Sequence, residues 1–101
     1  MWLCFNDGFI SVVESRHDPE KLLIRSRRGE ILLRLFPTKQ IIRNDARDYR
    51  YRVEVKREEF LPVVMERLCN INYPNFKASV DDYELHRLYN EFWSLHRGYQ
   101  K

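Results

Sequence analysis

Apolar residues come in short alternating runs along the first half of this chain and recur every three or four positions along the second. Trp2 to Phe5 and Phe9 to Glu14 flank Asn6-Asp7-Gly8, a sequence suited to the positive φ angles of a tight hairpin turn. Ser15-Arg16-His17-Asp18-Pro19 reads as a loop, because the residue ahead of a proline avoids the helical region. Lys21 to Arg27 predicts a third strand, with Leu22, Ile24 and Ser26 on one side and Leu23, Arg25 and Arg27 on the other. Gly29 breaks it, and Glu30 to Phe36 predicts a short helix stopped by Pro37. Gln40 to Arg43 predicts a fourth strand, followed by the polar turn Asn44 to Asp48. The fifth strand is the clearest: Tyr49, Tyr51, Val53 and Val55 alternate with Arg50, Arg52, Glu54 and Lys56.

Two longer helical patterns follow. Glu58 to Asn70 carries the stripe Leu61, Val64, Met65 and Leu68, and Pro62 is compatible with it only near the first turn. The last helix runs from Val80 to Arg97, with Ser79 as N-cap answered by Asp82 and Gly98 as a left-handed C-cap. Its broad face of Leu85, Leu88, Tyr89, Phe92, Trp93 and His96 is expected to be what the core packs against. The order β-β-β-α-β-β-α-α predicts a single α+β domain over residues 1–101. Its antiparallel sheet of four or five strands would carry the two main helices on one face.

Composition narrows the class. A chain of 101 residues that is 44% hydrophobic and 33% charged can build a modest core, so it is not a disordered segment. The net charge of +3 permits a polyanionic partner without requiring one. The apolar run at Trp2 to Phe5 is too short for a signal peptide or a membrane span, so a cytoplasmic protein is expected. Cys4 and Cys69 have no C-x-x-C partner and are expected as reduced, buried thiols.

No catalytic, nucleotide or metal motif is present. His86 and His96 point about 80° apart on a helix, H-E-x-x-H and G-x-S-x-G are absent, and no glycine belongs to a phosphate-cradling loop. No cofactor, metal or catalytic residue is assigned, and the expectation is a non-enzymatic protein. Asp18 is expected to bond its own backbone ahead of Pro19, and Glu58-Glu59 suits a helix N-terminus.

The sharpest surface feature is basic. Arg50 and Arg52 share the wet side of the fifth strand with Lys56, and Arg25 and Arg27 alternate likewise on the third. Were those strands neighbours, four guanidinium groups would stand on one sheet face, suited to gripping phosphates. The plain alternative is a solvated face balanced by Glu14 and Glu54. An RNA-recognition sheet would also expose aromatics for stacking, whereas Tyr49 and Tyr51 alternate onto the apolar side. The loop Tyr73-Pro74-Asn75-Phe76-Lys77 is a second candidate recognition surface, with Tyr73 and Phe76 alternatively stapling the turn into the core.

Met1-Trp2-Leu3, Asn6-Asp7, Phe9, Ser11-Val12-Val13, Asp18-Pro19, Tyr73 to Lys77 and His86 to Trp93 occur together over nearly the whole length. In this the chain resembles a family of small uncharacterised proteins of bacteria and their mobile elements, a family that carries no activity to transfer. The resemblance implies a compact bacterial domain. Small mobile-element proteins often act by stoichiometric binding, for instance as anti-CRISPR-like inhibitors of host defence complexes. The expected function is therefore association with a protein or ribonucleoprotein partner. Direct nucleic-acid binding by the arginine face is the main alternative, and a small enzyme of unknown class the third. Either a monomer or a homodimer through an edge strand or Trp2 fits.

Overall fold

A computed structural model describes all 101 residues. Five strands form one antiparallel sheet: β1 (Trp2–Phe5), β2 (Gly8–Glu14), β3 (Lys21–Ser26), β4 (Ile42–Arg43) and β5 (Tyr51–Lys56). Their order across the sheet is β1-β2-β3-β5-β4, so the chain passes over β5's place to lay down the short edge strand β4 before returning. The helices are α1 (Gly29–Leu35), α2 (Arg57–Cys69) and α3 (Tyr83–Arg97), with a single 3₁₀ turn at Lys77–Ser79 ahead of the last. This is the α+β architecture that the residue pattern predicts. No helix is long and apolar enough to cross a membrane.

One face of the sheet makes the core. Ile10, Val12, Ile24, Val53 and Val55 point to it, and α1 and α2 close it with Ile31, Leu32, Leu35 and Phe60. Burial of such side chains is the dominant favourable contribution to folding. The two helices lie side by side: Phe36, at the end of α1, meets Phe60, and Arg34 and Arg67 both reach Asp7. Of the two longer helices, only α2 packs on this face. α3 crosses the hairpin end of the sheet, where the Tyr89 hydroxyl lies 2.8 and 2.9 Å from the carbonyls of Phe5 and Gly8. Beyond that anchor, Phe92 meets Trp2 and Phe9, which strand alternation places on the opposite face from Leu3 and Ile10. The core is thus not built against α3, whose only buried residue is Tyr89 and whose Trp93 is 44% exposed.

Several local expectations change for identifiable reasons. The Asn6-Asp7 hairpin forms, but without a positive φ anywhere in the chain. Gly8 serves packing instead: a Cβ there would lie 2.4 Å from the Cβ of Ile31 on α1. Gly98 likewise stays right-handed at φ −65°. Ser79 closes the 3₁₀ turn by donating to the Phe76 carbonyl, and Asp82 is the N-cap of α3, accepting from the Leu85 amide at 2.9 Å. The fourth strand shrinks to two residues. β5 runs into α2 with no intervening loop, which sets the helix's rotation so that Phe60, Val63 and Val64 turn inward. Leu61, Met65 and Leu68, expected in the core, are each 62% exposed. Pro62 falls in the second turn, on the same outer side. Cys4 and Cys69 are exposed free thiols, not buried ones, although partial cover still pushes the Cys4 thiol pKa up.

Candidate functional site

The sheet face opposite the core carries a row that crosses all five strands. Cross-strand partners run from Trp2 to Ser11, Ser11 to Arg25, Arg25 to Arg52 and Arg52 to Ile42. Residues directly opposite on neighbouring strands stand about 5 Å apart, so Arg25 and Arg52 are adjacent like charges, an arrangement that ordinarily destabilises a sheet. Arg25 Nη2 donates to Ser11 Oγ at 2.8 Å, and its guanidinium lies 4.8 Å from the centre of the Tyr49 ring. Arg27 reaches the same ring at 4.4 Å while donating to the Asp48 carbonyl and carboxylate. Tyr49 is therefore buried among arginines and does not continue the apolar alternation of β5, because the chain bends before Tyr51. Tyr51 does lie on the core side.

Like charges dominate around Arg52. Arg52 is held below the ordinary arginine range, first by burial and then by Arg47, Arg25 and Arg16. None of these four arginines pairs with a carboxylate. Of the balancing acids named from the sequence, Glu14 pairs with Arg57. Glu54 stays on the same side of β5, two positions from Arg52, where it accepts from Ser15 Oγ and forms no ion pair with the arginines. Arg25 Nε and Arg52 Nε are buried with no hydrogen-bond partner. Unpartnered donors of this kind cost free energy, and a surface built for stability alone would not keep two side by side.

Of the candidates read from the sequence, Arg25 and Arg52 meet, and Arg27 joins them through the Tyr49 ring. Arg50, exposed just ahead of β5, acts on Asp45 instead. Lys56 is separated from Arg52 by Glu54 along β5; it stands opposite Lys21, and its amide donates to Glu59 at the start of α2. Tyr73 and Phe76 are turned inward, continuing an aromatic chain through Tyr89 to Phe92. Lys77 Nζ sits 4.0 Å over the Trp93 ring, and its carbonyl meets His86 Nδ1 at 2.9 Å. That loop therefore staples α3. Arg16 and Arg47 complete the basic face, although both lie in turns where no alternation marks their direction.

At the hairpin end, the first half of α3 stands off the body and leaves a cleft of about 910 Å³. Trp2, Phe9, Leu88 and Phe92 give it an apolar lining, and Arg27 and Tyr49 join it to the arginine row. His17, His86 and His96 do not gather there, and no three His, Cys, Asp or Glu residues stand close enough to hold a metal ion. No family model, curated protein or solved structure matches the chain.

Proposed function

We propose that the protein is a non-enzymatic binding module that associates stoichiometrically with a phosphate-bearing partner, nucleic acid or ribonucleoprotein, through Arg16, Arg25, Arg47 and Arg52. The observation that carries this reading is the direct pairing of Arg25 with Arg52, without a neutralising carboxylate. Phosphate oxygens would relieve the repulsion and accept from guanidinium donors in the bidentate geometry arginine favours. A host defence complex with a guide nucleic acid is one partner of this chemistry.

The test is binding of labelled oligonucleotides at two salt concentrations. Four phosphate contacts predict an affinity loss of roughly 50- to 150-fold between 50 and 200 mM salt. Arg25→Glu with Arg52→Glu is expected to abolish binding while circular dichroism stays unchanged. Salt-insensitive binding, or binding that survives the double reversal, sinks the proposal.

A second reading, docking of a protein partner on α2, is favoured by the exposed Leu61, Met65 and Leu68. A helix apolar on both faces is the pattern of a helix covered on both. Leu61→Ser with Leu68→Ser would then remove a nuclease-resistant partner from a host-lysate pull-down, and a partner retained by that variant rules the reading out.

A further inference from the structure

Granting the arginine face as a phosphate surface, we infer that its ligand is a single strand, RNA or DNA, with a base inserted against Trp2 in the cleft beneath α3. Trp2 begins the same transverse row that contains Arg25 and Arg52, and it is 67% exposed despite its size. Strand spacing of about 4.8 Å puts it roughly 10 Å from Arg25 across the sheet, within the reach of one nucleotide from phosphate to base. Its ring is already oriented. Phe92 lies nearly parallel to it, at 11° and 6.4 Å, and Phe9 meets it edge-on. A rigid indole with its ring held on two sides and otherwise in solvent is a stacking platform, and stacking is the sequence-tolerant half of single-strand recognition.

The charges of the cleft orient the ligand. Arg28 is spent on Asp82 and Glu84, and Arg34 on Asp7, whereas Glu30 and Asp81 on the cleft wall form no ion pair. Those carboxylates repel phosphate from the interior and can accept from the amino groups of a base. The backbone is thus kept outside along Arg25 and Arg52, and the uncharged base is the part that enters. A duplex keeps its bases stacked and paired, so it offers only phosphates to this surface. The cleft volume of about 910 Å³ leaves ample room for one base.

The experiment uses the full chain carrying Trp93→Phe, which leaves Trp2 as its only tryptophan. Short mixed-sequence single strands of RNA and DNA, and the matching duplexes, are titrated at low salt. Quenching of Trp2 emission by single strands, with affinity at least tenfold above the duplex, is the expected result. Trp2→Ala is expected to weaken single-strand binding by about 5- to 150-fold and leave duplex binding unchanged. RNA and DNA titrations identify which sugar is preferred, and a preference for either supports the inference. Equal affinity for strand and duplex with unchanged Trp2 emission would overturn the base-insertion inference while leaving the arginine face standing. No binding of either form, by the Trp93→Phe chain or the unmutated one, would overturn the arginine reading itself. The emission readout needs no substitution at Trp2, so it decides the matter even where Trp2→Ala unfolds.

Discussion

Two consecutive residue pairs on the same two strands meet opposite fates. Ile24 faces Val53 on β3 and β5 at 0% and 5% exposure, and one position along Arg25 faces Arg52. Both pairs are direct cross-strand neighbours, yet the first buries apolar surface and the second sets two like charges side by side. The apolar pair joins ten buried residues in one cluster under α1 and α2. The arginine pair has two buried donors without acceptors and two further arginines close by. A sheet can keep such a face only because the other one supplies the stability. On the reading proposed above, the arginine face is kept for binding and the apolar face for stability.

The largest expected effect attacks the stabilising pair. Ile24→Ala removes three heavy atoms from a fully buried position of the cluster and is expected to cost about 2–5 kcal/mol. Chemical denaturation should show the loss as a lower midpoint, and the fraction still folded should bind oligonucleotide as tightly as before. Weaker binding by folded Ile24→Ala protein would mean that the two faces are not independent.

How far these faces can be read from residues alone differs between them. The hairpin, α1 and the alternation of Tyr51 to Lys56 follow from local pattern, because period and turn chemistry act over a few residues. The meeting of Arg25 with Arg52 does not, since it depends on β5 lying beside β3 with β4 displaced to the edge. Alternation showed that the arginines share a side but not that they share a neighbour. The apolar residues of α2 mislead for a related reason. Leu61, Met65 and Leu68 are as regularly spaced as Phe60, Val63 and Val64, and only the direct join of β5 to α2 decides which set turns inward. Gly8 is informative in a different way: its close approach to Ile31 is a tertiary contact, invisible where turn preference already accounts for a glycine. From the sequence Trp2 is only a candidate dimer contact, and its place in the arginine row is set by register.

A smaller effect of opposite sign tests the destabilising pair. Arg52→Met keeps the length of the side chain and removes both an unpartnered buried donor and a repelled charge. The substitution is expected to stabilise by about 1 kcal/mol, or raise Tm by roughly 4–8 °C. The salt slope of oligonucleotide binding should shrink by about one contact. Stability and binding would then move in opposite directions at one residue. A fall in Tm would show that Arg52 supports the sheet, and the contrast between the faces would have to be abandoned.

The smallest effect separates the faces by pH. Glu59 is held below the usual carboxylate range first by its hydrogen bond from Lys39 and then by the Lys56 amide, and Asp45 is lowered first by its hydrogen bond from Arg43. A carboxylate whose folded pKa is depressed contributes stability that is fully present above its unfolded value. That contribution is lost as pH falls through the folded one. Both groups therefore place their loss on the acid side, below about pH 4.5. Arg52 has the reverse sign: its lowered pKa is a cost present at every pH below the alkaline range, so it shifts the level of the stability curve and not its acid limb. Glu59→Gln with Asp45→Asn should flatten the acid limb slightly while leaving the plateau near neutrality almost unchanged, because both groups are solvent-exposed. Arg52→Met should raise the plateau and leave the acid limb's shape alone. Thermal melts from pH 2.5 to 8 distinguish the two patterns, and an acid limb reshaped by Arg52→Met would mean that carboxylates do neutralise the arginine face after all.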